Sequence, residues 1–422
     1  ILFVQQNINL EANSNLYLRN NGQLIQGTTL SSTNTGQGKL SVYQEGTSDN
    51  FEYNYWCSPV GNATAAIVGN ESFGITMLHQ PTTSTLSNPA TIVSNYNGTA
   101  NPLAISSVWI YKLINANNYS QWLFVGNAST LAAGEGFSMK GTSGTDSTNP
   151  EGTGIVNNPG SAQRYDFRGK PNDGNITINL GANNSTLTGN PYPSALHLNA
   201  FLLDSDNVAA GGIAYFWEQD KTVNSHYLAA YRGGYGSYSP MSVGVDGVYV
   251  PATFNSYNQD GTLNTTGLSS SLSIPRRYAP IGQGFVVFAN ANGTATFKNA
   301  HRVFTKEGVG VSQFEKQTKD TANKTANNDE AGTFQYFKLN TIIDNKFTRQ
   351  LALAFLPEAT DGVDIGIDAL NMDTSPPNDV AFQIENGNYV IQGVNFDQSK
   401  KIPITVKATT SATFKFYIPE VT

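Results

Sequence analysis

A single cysteine in 422 residues, Cys57, excludes any internal disulfide and leaves the fold to be held by packing. It follows Tyr53-Asn54-Tyr55-Trp56, where a free thiol reads as a small buried hydrophobe, and no basic neighbour in sequence would activate it as a nucleophile. Histidine is almost as scarce: His79, His197, His226 and His301 are the whole set, none in a His-Glu-x-x-His or other paired spacing, so zinc hydrolysis has no motif. Charged side chains make up 13% of the chain, about half the usual share. The formal net charge is −7, and Lys and Arg never gather more densely than at Pro275-Arg276-Arg277 or Ser399-Lys400-Lys401. No phosphate-tracking surface is encoded, and nucleic acid is not an expected partner. No apolar run reaches the roughly 18 residues of a membrane span. Ile1-Leu2-Phe3-Val4 is too short for a signal peptide and lacks its basic flank. Opening without Met and as if in mid-strand, the chain is expected to be a fragment or a processed product.

Gly, Ser, Thr and Asn stand where Lys and Glu would be, beside an aromatic content of 11%. Ser, Thr and Asn compete for backbone hydrogen bonds and Gly is costly in helices, whereas Tyr and Phe suit a pleated, half-buried surface. The expected class is all-β. Several domains are expected, because single cores rarely grow past about 250 residues.

In residues 1–37, Asn7-Ile8-Asn9-Leu10, Asn15-Leu16-Tyr17-Leu18 and Leu24-Ile25-Gln26 alternate apolar and polar residues between Asn/Gly corners. The pattern reads as a β-solenoid-like end or cap, with an ordinary hairpin pair as the alternative. A long internal duplication follows. Gly38-Lys39-Leu40-Ser41-Val42, Tyr55-Trp56-Cys57-Ser58-Pro59, Val108-Trp109-Ile110-Tyr111, Gly134-Glu135-Gly136-Phe137 and Arg164-Tyr165-Asp166-Phe167 mark a first β-rich domain, 38–173. In the same order, Gly174-Asn175-Ile176-Thr177-Ile178, Leu187-Thr188-Gly189-Asn190-Pro191, Ala214-Tyr215-Phe216-Trp217, Gly282-Gln283-Gly284-Phe285 and His301-Arg302-Val303-Phe304 mark a second, 174–305. Residues 306–332 are polar and nearly without large apolar side chains, which predicts a flexible linker. Six short strand patterns in 333–422, separated by turn signals such as Asp361-Gly362 and Asn386-Gly387, predict a β-sandwich.

Catalytic motifs are absent. Gly-x-Ser-x-Gly does not occur, and Gly234-Tyr235-Gly236-Ser237-Tyr238 lacks the second glycine in place. Gly134-Glu135-Gly136 and Gly282-Gln283-Gly284 lead into strands, so they read as tight turns, and Glu135 is matched by Gln283, which cannot ionise. Glu218, Asp220, Asp204 and Asp206 offer carboxylates without a spacing that would pair them across a glycoside. The chain is expected not to be an enzyme. For cofactors, Asp361, Asp364 and Asp368 could hold a structural calcium ion, a cation that takes several oxygen ligands; the alternative is a turn with solvated carboxylates. Tyr227, Tyr231, Tyr235 and Tyr238, with Arg232, form an aromatic stretch suited to stacking on sugars or anchoring a protein surface, or else to covering the sheet it leaves.

Several phrases carry a resemblance. Tyr165-Asp166-Phe167-Arg168-Gly169-Lys170-Pro171-Asn172-Asp173-Gly174, Leu187-Thr188-Gly189-Asn190-Pro191-Tyr192-Pro193-Ser194-Ala195, Tyr215-Phe216-Trp217-Glu218-Gln219 and Pro280-Ile281-Gly282-Gln283-Gly284-Phe285 are similar to C-terminal regions of very large secreted proteins of the Bacteroidetes. Those proteins are exported by the type IX secretion system, and many act as surface adhesins. The resemblance implies an extracellular or outer-surface location on a Gram-negative bacterium, the secretion machinery as a partner during export, and a non-catalytic adhesin or structural role with a glycan or surface protein as ligand. A carbohydrate-binding module accessory to a secreted hydrolase is the alternative. Asp320-Thr321-Ala322 and Asp146-Ser147-Thr148 match the pattern used for O-glycans on such exported proteins. Thr321 and Ser147 are therefore expected to carry glycans, whereas Asn97-Gly98-Thr99 is expected to stay unmodified. Peptide mass spectrometry of the native protein checks this: a wholly unmodified peptide spanning 316–324 would remove Thr321 from the set.

Overall fold

The computed structural model describes residues 1–422 except 28–29, 65, 144–162, 231, 259–261, 271–273, 309, 315–333, 374–375 and 422, with side chains for all of these but 265–268 and 420. Strands dominate, as an all-β chain requires; among the described residues the one α-helix is the short Leu198–Leu202. Ser147 and Thr321 lie outside the described residues.

At the N-terminus two turns of chain stack in parallel. Leu2–Val4 lies beside Leu24–Gln26, a bridge joins Asn9 to Thr35, and Asn15–Leu18 lies beside Lys39–Glu45. Parallel neighbours of this kind are what stacked coils have and hairpins lack. Asn13, Asn20 and Asn21 turn the corners with φ of 67°, 53° and 58°, a region that the short polar Asn side chain tolerates. The boundary expected at 37 does not divide the structure, because Lys39–Glu45 closes the second turn and also pairs with Arg164–Pro171 in the next sheet.

The two halves share a pairing plan. In the first, Lys39–Glu45 pairs with Arg164–Pro171, while Gly136–Lys140 lies between Tyr53–Cys57 and Tyr111–Lys112. In the second, Ile176–Leu180 pairs with Gly293–Phe297, while Gly284–Phe288 lies between Ser185–Gly189 and Ala214–Gln219. Registers agree as well: Gly136 faces Cys57 and Gly284 faces Gly189, each two residues before a proline, Pro59 or Pro191. One matched phrase does not correspond. His301-Arg302-Val303-Phe304 does not occupy the place of Arg164–Pro171; Gly293–Phe297 does, because the chain folds straight back after Phe288, and Arg302–Val303 pairs with Ala195–His197 instead.

The Gly-bearing strands bring the halves together at backbone distance. A methyl group on Gly284 would lie 2.6 Å from the Trp56 nitrogen, one on Gly136 2.8 Å from the Thr188 carbonyl oxygen, and one on Gly189 2.7 Å from Cys57 Cβ. The Cys57 amide donates to the Gly282 carbonyl at 2.9 Å, and Thr188 Oγ1 donates to the Gly134 carbonyl at 2.7 Å. Near this junction Arg302, fully buried, pairs with Asp173 at 3.0 Å and donates to the Leu24 carbonyl, so the N-terminal turns are tied to the second half.

Two expectations change. Residues 306–314 do not start a free tether: Phe314 is 2% exposed against Trp56, with ring centroids 4.6 Å apart, and Ser312 Oγ donates to the Tyr278 carbonyl. One large apolar side chain in a polar stretch is enough to dock it. The C-terminal strands form a single sheet rather than two: Ile404–Ala408, Asn378–Ile384, Gly387–Val394, Phe347–Phe355, Gln335–Ile343 and Phe414–Val421 in that order, with Ala369–Leu370 added to Gly387–Val394. Leu351 and Ala352 point to opposite faces and are both fully buried, so the sheet is covered on both sides at this central strand, whereas adjacent Phe416 and Tyr417 on the edge strand are both exposed. Val248, Val250 and Met241 of the second half pack in the same cluster as Leu351, Leu353 and Phe382, which makes one shared core of what the sequence divides at 333.

The glycine contacts make a sharp expectation. Gly284→Ala should cost about 1–3 kcal/mol through overpacking, whereas Gly244→Ala, whose methyl would meet nothing within 4 Å, should stay within about 0.5 kcal/mol. Urea denaturation of both variants reads the difference, and equal midpoints would mean that the halves do not meet through these glycines.

Candidate functional site

Strand alternation decides which aromatic rings reach the surface. On Tyr53–Cys57, Tyr53 and Tyr55 share one face, and Trp56, the next residue along, turns to the other face and into the core beside Tyr165, Phe167 and Phe314. In the second half Trp217 stands directly opposite Tyr235 on the neighbouring strand. Tyr55 and Trp217 stack with centroids 6.2 Å apart at 20°, and the hydroxyls of Tyr55 and Tyr235 lie 2.9 Å apart, so rings from the two halves form one floor. Trp122 leans on Tyr55 at 5.8 Å. Trp109, Tyr111 and Tyr119 of the first half, Tyr257 of the second, and Asn371 and Met372 of the C-terminal region complete the walls of a cleft of about 710 Å³. Three of the four tryptophans line it, and most of its rings are only half-buried. Among its described lining residues there is no Asp, Glu, Lys or Arg; the polar groups are amides and hydroxyls such as Asn117, Asn183, Ser120 and Ser138.

Among the described residues of the aromatic stretch singled out from sequence, only Tyr235 lines the cleft. Tyr238 lies three residues further along the strand and so turns to the other face, where its hydroxyl donates to Asn199 Oδ1 at 2.7 Å in the core. Tyr227 is 81% exposed outside the lining, although its neighbours His226 and Leu228 belong to it. Arg232 is half-buried, its carbonyl accepts from the Asp220 amide, and it too stands outside the lining; Tyr231 lies outside the described residues. Tyr53, Tyr55, Trp109, Trp122, Trp217 and Tyr257 were not singled out. The period-two pair Tyr53/Tyr55 was the available signal.

The carboxylates go to structural work. Asp361 pairs with Lys400 at 2.5 Å; Asp364 accepts from the amide and hydroxyl of Thr360; Asp368 accepts from the amides of Asp364 and Gly393. The three are not gathered into a ligand set, and among the described residues no group of three His, Cys, Asp or Glu side chains could hold a metal ion. Burial pushes the Asp368 carboxyl up to about 7. Glu135 pairs with Lys112, Asp204 with Lys298 and His301, and Glu218 is buried on the face opposite Trp217, accepting from Tyr249 Oη and the Ala252 amide. The Cys57 thiol is fully buried, which holds its pKa far above the usual range.

One end of the cleft is closed by the loop after Ala214–Gln219. His226 stacks on Trp109 at 5.1 Å and 13°, with Nε2 2.6 Å from Asn97 Oδ1 and Nδ1 3.2 Å from Lys140 Nζ. The Lys140 ammonium, 4.1 Å from the Trp109 ring centroid, can only donate, so Nδ1 accepts and Nε2–H donates: the docked imidazole is neutral. Burial and then Lys140 lower the pKa of His226, with Asp49 opposing; burial lowers Lys140 to about 8, with Glu52 and Asp49 opposing. A folded-state pKa below the unfolded one means that the docked loop binds fewer protons. The contribution of His226 is therefore complete above about pH 6.5 and is lost as pH falls through its lower folded value, while that of Lys140 changes only between its ordinary value and about 8 and so lies above this range. Amide protection factors over 221–230 are expected to drop between pH 7.5 and 5.5, and His226→Gln should flatten that dependence. Protection unchanged across this range in the unmutated protein would show that the loop does not respond to this histidine.

Against known proteins, the whole chain, residues 1–422, matches the model of one family, described as Domain of unknown function (DUF8693). No curated protein and no solved structure matches it.

Proposed function

This chain belongs to the DUF8693 family, and we propose that it is a non-catalytic binding module of a larger exported surface protein, an adhesin whose aromatic cleft holds a neutral carbohydrate. One observation carries the reading: about 710 Å³ of cleft lined by Tyr and Trp rings from the two halves, closed by Asn371 and Met372 of the C-terminal region, with amides and hydroxyls between the rings and no formal charge among the described lining residues. Half-buried rings offer flat apolar faces to the C–H faces of sugars, while Asn and Ser groups match their hydroxyls; clefts mostly apolar with a few placed polar groups are the usual form of small-ligand sites.

The absence of a carboxylate pair in the described lining favours binding over hydrolysis, since glycoside cleavage needs an acid and a base or nucleophile on either side of the bond. The exported, outer-surface setting and passage through type IX secretion rest on the resemblance of Gly189-Asn190-Pro191-Tyr192-Pro193-Ser194 and its companion phrases. A calcium ion at Asp361, Asp364 and Asp368 has no support in the way those carboxylates are engaged. An accessory module of a secreted hydrolase would use the same cleft, and a catalytic domain in the same polypeptide would favour that version.

Glycan-array binding of the purified chain tests the reading, followed by titration of tryptophan emission, to which Trp109, Trp122 and Trp217 should respond while Trp56 stays silent in the core. Trp122→Ala should weaken binding at least about tenfold, or 1.4 kcal/mol, with the thermal midpoint little changed because this ring is only half-buried. An array with no bound glycan at high protein concentration would sink the proposal.

A further inference from the structure

Building on the carbohydrate reading, we infer that the ligand is an uncharged oligosaccharide segment of at least about three sugar residues laid along the cleft, rather than a single terminal sugar. The cleft volume of about 710 Å³ stands in the upper half of the range for small-ligand sites, and one sugar ring would leave most of the aromatic wall wet.

The rings fall into three stations. At the first, Trp109 has Tyr53 edge-on at 6.4 Å and His226 stacked at 5.1 Å. At the second, Tyr55 is flanked by Trp217 at 6.2 Å and Trp122 at 5.8 Å, with Tyr235 against Trp217 at 5.3 Å. At the third, Tyr119 and Tyr257, one from each half, lie parallel at 11° with centroids 6.3 Å apart. Tyr53 and Tyr55 are alternate residues of one strand, so the first two stations are offset along it by roughly 7 Å. Tyr119 belongs to the same loop as Trp122, which carries the row onward to Tyr257.

Polar partners accompany the rings along this path. Ser138 faces Tyr55 and Tyr111 across the sheet, Asn117 and Ser120 lie close to Tyr119 in sequence, and Asn183 and Asn371 also belong to the lining. None of these groups carries a charge. A uronic-acid or sulfated chain would lose its hydration in such a cleft with no Lys or Arg among the described lining residues in return. The chemistry that fits every station is a repeated hydroxyl-rich ring with one apolar face.

The test is a length series. Cello-, manno-, xylo- and chito-oligosaccharides, each from mono- to hexasaccharide, are titrated against the intact chain by calorimetry and tryptophan emission. For the ladder that binds, affinity is expected to rise at least about a hundredfold from one sugar to three, at about tenfold for each station filled, and then to level off. Trp109→Ala and Tyr257→Ala should each remove about tenfold of the trisaccharide affinity and leave the monosaccharide nearly unaffected, with unfolding midpoints as the fold control. A monosaccharide that binds as tightly as the trisaccharide overturns this inference and leaves the carbohydrate reading standing. No binding by any ladder, together with a blank array, overturns both. Tighter binding of sulfated or uronic-acid oligosaccharides than of the neutral series overturns the assignment of an uncharged ligand alone.

Discussion

The rest of the molecule depends on how closely two sheets meet. Gly136 and Gly284 occupy the same position in the two halves, each facing the strand that ends in a proline corner, and each presses against the corresponding strand of the other half. Cys57 and Gly189, also equivalent in register, meet each other. The contact is thus reciprocal, an approximate two-fold relation inside one chain, and it is possible only because the residues at its centre have little or no side chain. Larger side chains there would drive the sheets apart, toward the roughly 10 Å spacing of ordinary face-to-face packing. At the spacing observed, Tyr55 can stack on Trp217 and reach the Tyr235 hydroxyl. The cleft is a consequence of that approach.

Charge is used elsewhere. Buried pairs stand mostly away from the cleft: Arg302 with Asp173, Lys170 with Glu71, and Arg349 with Asp373 and Asp379. Removing one partner of such a pair strands the other at a cost of about 3–5 kcal/mol, so these pairs specify which segments must meet. Arg302 and Asp173 join the N-terminal turns to the second half, and Arg349 with its two aspartates fastens the C-terminal sheet internally. With the few charges committed in this way, the cleft is left neutral and aromatic. That suits a ligand recognised through apolar faces and hydroxyls, and it accounts for the lack of Asp, Glu, Lys and Arg among the described lining residues of the cleft.

Composition and local pattern made the all-β class legible, because Gly, Ser, Thr, Asn and aromatic residues act on each residue's own backbone preference. The order of landmark phrases was legible for the same kind of reason: Pro59 and Pro191, Gly136 and Gly284 each set a local turn or contact and so keep their spacing from the strands they adjoin. The N-terminal corners show in the Asn residues that take positive φ. Where sequence reasoning erred, the missing quantity was a partner distant in the chain. Tyr238 was grouped with Tyr235 because they are close in sequence, yet an odd separation in a strand sends them to opposite faces. Phe314 looked like a stray apolar residue until Trp56, far away in sequence, proved to be its neighbour.

What the sequence by itself determined is therefore the strand-forming character of the chain, its corners, its lack of disulfide and metal motifs, and the parity by which Tyr53 and Tyr55 share a face. Only the tertiary structure decided that this face would meet Trp217, Trp122 and Tyr257, that Asp361, Asp364 and Asp368 would be spent separately on a lysine and on local backbone and hydroxyl groups, and that three regions would close around one cleft. The physical reason is one of range. Propensity and alternation act between neighbours in sequence, whereas the glycine contact between the halves and the core shared with the C-terminal sheet exist only after strands far apart in the chain have packed.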